Sequence, residues 1–140
     1  MADVPKLAAL AVVVRGNELL LVRRRNEPDA GLWGLPGGHV DWGESIGVAA
    51  CRELFEETTV KATPGRSLIG LDTIISDEAG NTQFHYYMVA VECIYMTGEP
   101  TARDDVFDAN WISHDDIRGQ QLPLSEDVDT VLNLALQVRR

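Results

Sequence analysis

A chain of 140 residues, of which 45% are apolar and 24% are charged, is long enough to fold as one domain around its own core. The formal net charge of −10 disfavours sequence-independent binding to nucleic acid or to an anionic membrane surface. No apolar run approaches the ~20 residues that a membrane-spanning helix needs, and the N-terminal residues lack the pattern of a signal peptide. We therefore expect a single domain over residues 1–140 in the cytoplasm, with neither nucleic acid nor a membrane as partner.

The N-terminal part of the chain predicts a β-hairpin. Residues 6–14 (KLAALAVVV) and 18–25 (ELLLVRRR) are short apolar runs joined by a Gly-Asn turn. On the second strand, Arg23 and Arg25 face one side and Arg24 the other. An arginine here can bind the oxygens of a diphosphate bidentately. The same composition is also typical of a strand end that is simply exposed to solvent.

A helix carrying three carboxylates is predicted soon after this hairpin. Counted from Ile46 at about 100° per residue, Glu53, Glu56 and Glu57 fall within an arc of roughly 100°. Ser45 can cap the helix, which follows a turn of sequence Leu-Pro-Gly-Gly. Such an arc suits a solvated acidic face, or a Mg²⁺ or Mn²⁺ ion bound by hard oxygen ligands.

The residues around this helix resemble a known family. Residues 38–60 (GHVDWGESIGVAACRELFEETTV) are similar to the Nudix box, in which Gly, Glu, Arg-Glu and Glu-Glu recur at fixed spacing. The matching positions are Gly38, Glu44, Arg52, Glu53, Leu54, Glu56, Glu57 and Val60. Thr59 stands where the family has Gly, which favours positive φ at a helix end. Because a β-branched residue disfavours that conformation, we expect a different helix exit.

The resemblance implies a fold and a site. It implies an α/β protein with the Nudix fold, an α/β/α sandwich with a mixed β-sheet. It also implies a catalytic group of four residues, in which Arg52 orients the carboxylates through Glu44 and either Glu53 or Glu56 serves as general base. A Mg²⁺ or Mn²⁺ cofactor would be bound by three carboxylates and one backbone carbonyl, those of Glu53, Glu56, Glu57 and Gly38.

Two further expectations concern residues outside the box. In Nudix proteins an arginine just after the second strand often contacts the diphosphate, which favours Arg23 or Arg25 as substrate-binding residues. The general base of the family sometimes comes from a later loop, and Asp104 or Asp105 lies in such a loop here.

The rest of the chain predicts further strands and two helices. Residues 67–76 and 84–95 read as strands joined by a turn over 77–83. The aromatic group at 84–87 (FHYY) alternates between faces, so we expect half of it in the core and half able to line a base or sugar site. Residues 97–108 are expected to form a loop and 110–112 a short strand. Ser113 and Ser125 are predicted to cap the last two helices.

The substrate predicted by this resemblance is a small nucleotide. The sequence looks most like the small ADP-ribose-pyrophosphatase-type members, so ADP-ribose or a nucleotide sugar is favoured. Hydrolysis of oxidised nucleoside triphosphates and a non-catalytic nucleotide-binding module remain as alternatives. An isomerase on the same scaffold would need a cysteine in its active site, whereas Cys51 and Cys93 read as reduced structural thiols. A homodimer is left open.

Overall fold

The computed structural model describes residues 3–138 and contains eight strands and three helices. The strands are β1 (Lys6–Val12), β2 (Val14–Arg15), β3 (Glu18–Arg24), β4 (Trp33–Gly34), β5 (Gly37–His39), β6 (Lys61–Ser76), β7 (Thr82–Thr97) and β8 (Val106–Ser113). The helices are α1 (Ile46–Thr58), α2 (His114–Arg118) and α3 (Val128–Val138).

The strands form two sheets of four strands each. The first sheet has the order β5-β1-β7-β6, and it is mixed because β1 runs parallel to β7 and antiparallel to β5. In the second sheet β3 pairs antiparallel with β2, β4 and β8. The hairpin predicted for residues 6–14 and 18–25 forms only at its turn, where Val14 and Arg15 of β2 pair with β3. The prediction was wrong for residues 6–12, because β1 pairs with β5 and β7 of the other sheet.

Helices α1 and α3 lie on opposite sides of the first sheet. Ala9 and Ala11 of β1 belong to the core cluster that contains Leu54 of α1. Val12, which points to the other face of the same strand, belongs to the cluster that contains Leu132 of α3. The predicted α/β class with a mixed sheet and helices on both faces is confirmed.

Helix α1 begins after the N-cap that the sequence indicated, Ser45, and ends at Thr59. The Ser45 Oγ accepts a hydrogen bond from the backbone N–H of Val48 at 3.3 Å. Thr59 ends the helix with φ 66°, and its N–H donates to the Phe55 carbonyl at 2.9 Å. The expectation of a different exit was wrong, because Thr59 adopts the left-handed conformation in spite of its branched side chain.

Three expectations about the later strands were wrong. Strands β6 and β7 are longer than predicted, and β8 begins at Val106, so the preceding loop is shorter than 97–108. The pairing of β8 with β3 along its length holds residues 106–109 in the strand, and local composition does not show such long-range pairing. None of the aromatic residues 84–87 is buried, because the buried residues of β7 lie further along and are Ala90, Val91 and Cys93.

The helix-capping predictions had different outcomes. The Ser113 Oγ accepts from the Asp116 N–H at 3.1 Å and caps α2 as predicted. Ser125 does not cap α3, since that helix begins at Val128. Within residues 3–138, the buried Ser125 Oγ has no hydrogen-bond partner.

The two cysteines are free thiols whose Sγ atoms lie 3.7 Å apart, between α1 and β7. Burial raises the pKa of both the Cys51 and the Cys93 thiols, which keeps them protonated near neutral pH. Over the described range, no helix is long and apolar enough to cross a membrane.

Candidate active site

Arg52, in the middle of α1, is the centre of a hydrogen-bonded network. Its Nε donates to Glu44 Oε2 at 2.7 Å and its Nη2 to Glu44 Oε1 at 3.0 Å. The backbone N–H of Asp41 also donates to Glu44 Oε1, at 3.0 Å. The Arg52 guanidinium, followed by the Asp41 N–H, lowers the pKa of Glu44 to about 2. The expected pairing of Arg52 with Glu44 is therefore present.

The remaining donors of Arg52 reach the helix carboxylates and one backbone carbonyl. Its Nη1 donates to Glu53 at 2.9 Å and to Glu56 at 3.2 Å, while Nη2 donates to the His39 carbonyl at 2.9 Å. Hydrogen bonding to Glu44, and then to the other two carboxylates, raises the pKa of Arg52. The guanidinium thus stays charged and holds two carboxylates in fixed positions.

Glu53 packs directly against the backbone of Gly38. A Cβ placed on Gly38 would lie 2.5 Å from the carboxyl carbon of Glu53, so this position has no room for a side chain. Burial is the main cause that raises the pKa of Glu53, opposed by the Arg52 hydrogen bond. The absence of a Cβ brings the Gly38 backbone and a carboxylate together, as the predicted ligand set requires.

Glu57 is the buried member of the three carboxylates. Only 5% of its surface is exposed, and its Oε1 accepts from the Gly37 N–H at 3.0 Å. Burial raises the pKa of Glu57 to about 8, and the charges of Asp105 and Glu53 add to this rise. A buried carboxyl group beside two other acids is stabilised by a nearby cation.

The donor set fits a divalent metal, although the carboxylates are not gathered around one point. Among residues 3–138, no three His, Cys, Asp or Glu side chains lie close enough to hold a metal ion as they stand. Glu53 and Glu56 are turned toward Arg52, and Glu57 toward Gly37. The fit therefore lies in the chemistry of the donors, since carboxylate and carbonyl oxygens are the ligands that Mg²⁺ and Mn²⁺ prefer.

A cavity of about 820 Å³ brings most of the predicted site residues together. Its wall includes the four predicted metal ligands and both acidic residues of the later loop, namely Gly38, Glu53, Glu56, Glu57, Asp104 and Asp105. Arg52 and Glu44 are not among the described residues that line it, so they contact the carboxylates from outside the cavity. Neither cysteine lines the cavity.

The cavity is lined by Arg24 and not by the two arginines that the sequence favoured. Arg24 Nε donates to the Pro28 carbonyl at 2.8 Å. Arg23 Nε donates to the Gly31 carbonyl at 3.1 Å, and the Arg25 guanidinium lies 4.7 Å from the centre of the Phe107 ring. Strand alternation separates Arg24 from its neighbours, but it does not say which side the cavity is on.

Asp105 is electrostatically coupled to the helix carboxylates, since its charge contributes to the raised pKa values of Glu53 and Glu57. Its side chain is 3.4 Å from Asn26 Nδ2. Asp104 has φ 61°, a conformation that an Asp tolerates better than most residues.

Comparison with known proteins identifies the family. Residues 4–134 match the family model described as NUDIX domain. The chain belongs to the Nudix family. This match covers nearly the whole chain and confirms the resemblance drawn from the box at residues 38–60.

Three relatives show how far the likeness to other Nudix proteins extends. An ADP-ribose pyrophosphatase from Methanocaldococcus jannaschii is 31% identical over 107 residues, 76% of this chain and 61% of that protein. A Mycobacterium tuberculosis protein named "Putative 8-oxo-dGTP diphosphatase 2" is 32% identical, over 79% of this chain and 82% of that protein. The crystal structure of a MutT NUDIX hydrolase from Burkholderia pseudomallei has a TM-score of 0.79 and 30% identity, over 94% of this chain and 98% of that one. This chain therefore spans less than two thirds of the M. jannaschii protein and nearly all of the B. pseudomallei one.

Proposed function

We propose that this Nudix protein is a metal-dependent hydrolase that cleaves the diphosphate bond of a nucleoside diphosphate linked to another group. ADP-ribose and nucleotide sugars are the favoured substrates. The observation that carries the proposal is that Arg52, held by Glu44, contacts Glu53 and Glu56. These two carboxylates line a cavity large enough for a nucleotide. The named activity of the M. jannaschii relative supports the choice of ADP-ribose.

The proposed chemistry divides among residues of α1 and residues outside this helix. Glu53, Glu56, Glu57 and the Gly38 carbonyl would hold Mg²⁺ or Mn²⁺, which supplies positive charge against the diphosphate oxygens. Arg52, fixed by Glu44, orients Glu53 and Glu56. Either of these two carboxylates accepts the proton of the attacking water, with Asp104 or Asp105 as the alternative base.

Arg24 is the arginine that we propose for the diphosphate. It lines the cavity together with the carboxylates, and a guanidinium matches two phosphate oxygens at once. Arg23 and Arg25, which the sequence favoured, contact the Gly31 carbonyl and the Phe107 ring instead.

A second candidate function is the hydrolysis of oxidised nucleoside triphosphates. The M. tuberculosis relative favours it, because this chain matches 82% of that protein. A non-catalytic nucleotide-binding module is less favoured, since such modules usually lack box carboxylates and Glu53, Glu56 and Glu57 are all present. We also propose that residues 1–140 act as one domain in the cytoplasm, as a monomer or a homodimer.

A substrate panel with product identification tests these proposals. Purified protein with Mg²⁺ would be given ADP-ribose, a nucleotide sugar, a dinucleoside polyphosphate and 8-oxo-dGTP, and kcat/KM compared. AMP and ribose 5-phosphate as products of ADP-ribose, with the highest kcat/KM for this substrate or a nucleotide sugar, support the proposal. A higher kcat/KM for 8-oxo-dGTP favours the second candidate, and no turnover of any of them contradicts both.

A further inference from the structure

The cavity continues from the carboxylates onto an open part of the first sheet. Ala8 of β1 pairs with His39 of β5 on one side and with Met88 of β7 on the other. Residues paired across neighbouring strands point to the same face, and so does Tyr86, two residues before Met88. All four of these residues line the cavity.

This face is the one that α3 covers further along the strands. Leu10 and Val12, two and four residues after Ala8, pack in the cluster that contains α3. Val128 and Val131 of α3 line the cavity. The cavity therefore begins where α3 no longer covers the sheet. The floor of the cavity is thus a stretch of sheet that no helix of the described chain occupies.

Two aromatic rings lie on this part of the sheet. The rings of His39 and Tyr86 are nearly parallel, with 17° between their planes and 5.7 Å between their centroids. Tyr86 is half-buried and His39 is exposed. Beside them, the buried Ala8 and the half-buried Met88, with its polarisable sulfur atom, make the lining apolar. Such a surface suits a planar aromatic group.

The pair of aromatic rings lies next to one of the predicted metal ligands. His39 directly follows Gly38, whose backbone packs against Glu53, and the His39 carbonyl accepts from Arg52 Nη2 at 2.9 Å. A ligand whose diphosphate lies at the carboxylates therefore has the His39 and Tyr86 rings within the same cavity, on the side of the open sheet.

We propose that the nucleobase of the substrate stacks on the ring of Tyr86, above the floor formed by Ala8 and Met88. The inference rests on the proposed function for the ligand being a nucleotide. Tyr86 is then a specificity-determining residue, which favours ligands that carry a base over sugar phosphates that do not. It takes no part in bond cleavage.

The neighbouring Tyr87 provides a matched control. It points to the opposite face of β7, where its hydroxyl lies over Gly70, and it does not line the cavity. Tyr86→Leu removes the ring and keeps an apolar side chain, Tyr86→Phe keeps the ring, and Tyr87→Leu removes a ring from the other face. Thermal unfolding of each variant checks that it is folded.

The test measures binding of AMP and of ribose 5-phosphate by calorimetry, with Mg²⁺ present throughout. Because stacking of one base on an aromatic side chain corresponds to about 5- to 150-fold in affinity, Tyr86→Leu should weaken AMP binding by a factor within this range. Its affinity for ribose 5-phosphate should stay unchanged, as should the AMP affinity of Tyr86→Phe and Tyr87→Leu.

Two results would overturn the inference. One is an AMP affinity of Tyr86→Leu equal to that of Tyr87→Leu, and the other is an equal loss for AMP and for ribose 5-phosphate. Binding and hydrolysis are measured separately. Turnover of ADP-ribose with AMP binding indifferent to Tyr86 refutes only the base site, whereas Tyr86-dependent AMP binding without turnover of any nucleotide refutes only the hydrolase.

Discussion

Glu44 and Arg52 form a two-pronged ion pair across the entrance of α1, with donor–acceptor distances of 2.7 and 3.0 Å. Glu44 precedes the helix and Arg52 lies within it, so the pair fixes the incoming loop against the helix. The other guanidinium donors reach Glu53 and Glu56. The direction of two candidate catalytic carboxylates is therefore set by a residue that does not line the cavity.

Replacement of Arg52 by Lys should impair catalysis through geometry. Lysine keeps the charge but cannot make two parallel hydrogen bonds to Glu44 while reaching Glu53. We expect kcat to fall about 10- to 100-fold, the range typical of residues that orient ligands, with little change in folding. Arg15→Lys is the control, because Arg15 contacts Glu99 and the Trp111 ring outside the cavity. Equal kcat values for the two variants would show that bidentate hydrogen bonding by Arg52 is not needed for catalysis.

The acid stability of the protein should depend on Glu44. Its pKa in the folded protein is about 2, mainly because of the Arg52 hydrogen bonds, against a usual value of 4.5. A lowered carboxyl pKa stabilises the fold above pH 4.5, and this contribution is lost as the pH falls toward 2. Glu44→Gln should therefore be less stable than the wild type at pH 7, and the difference should shrink steadily between pH 4.5 and 2. Urea unfolding at a series of pH values measures this, and a difference independent of pH would contradict the role of the charge.

The sequence predicted the box geometry because that geometry is local. The spacing of Glu44, Arg52, Glu53 and Glu56 along a loop and a helix determines which side chains meet, and these contacts are present. The choice among the three arginines at 23–25 depends on which face of β3 borders the cavity. That face is determined by how the second sheet packs against the rest of the molecule, which is a long-range relationship that local composition does not show. For the same reason, the sequence did not distinguish Tyr86 from the other aromatic residues at 84–87.

Thr59 is the one box position where a substitution should stabilise the protein. A non-glycine residue in the left-handed conformation costs about 1–2 kcal/mol, and Thr59 has φ 66°. Part of this gain is offset by the greater freedom of glycine in the unfolded chain, so Thr59→Gly should raise stability by about 0.5–1 kcal/mol, which corresponds to a rise of roughly 2–4 °C in Tm. Thr59→Val keeps the branched shape and should show no such rise. A lower Tm for Thr59→Gly would mean that the weak contact of the Thr59 hydroxyl with the Glu99 carbonyl, at 3.4 Å, outweighs the strain.

Glu56→Gln should separate catalysis from folding. Glu56 lies on the exposed edge of α1, with 43% of its side chain accessible, and it lines the cavity. We expect kcat to fall by two orders of magnitude or more, equivalent to ~3 kcal/mol of transition-state stabilisation, while Tm changes little. Glu78→Gln, in the exposed turn between β6 and β7, serves as the control. A near wild-type rate at saturating Mg²⁺ would remove Glu56 from the proposed site.

Glu57 should make the metal-free protein less stable at alkaline pH. Its pKa is raised to about 8, mainly by burial, from a usual value of 4.5. The folded protein therefore binds a proton that the unfolded chain has lost between these values. Stability from this group is complete below pH 4.5 and falls by about 1.4 kcal/mol per pH unit until the pH passes 8. Thermal unfolding in chelator from pH 5 to 9 should show this fall, and Glu57→Gln should reduce its slope.

The same buried carboxyl group predicts how activity depends on metal and pH. Protons compete with a divalent cation for Glu57, so metal binding should strengthen and release protons as the pH approaches 8. We expect no activity after exhaustive chelation, recovery on addition of Mg²⁺ or Mn²⁺, and a rate at subsaturating metal that rises through mildly alkaline pH. Ca²⁺ should bind but support turnover poorly, because it is larger and less demanding in geometry. Full activity in chelator, or a rate indifferent to the identity of the metal, would mean that Glu53, Glu56 and Glu57 are not the metal ligands of this protein.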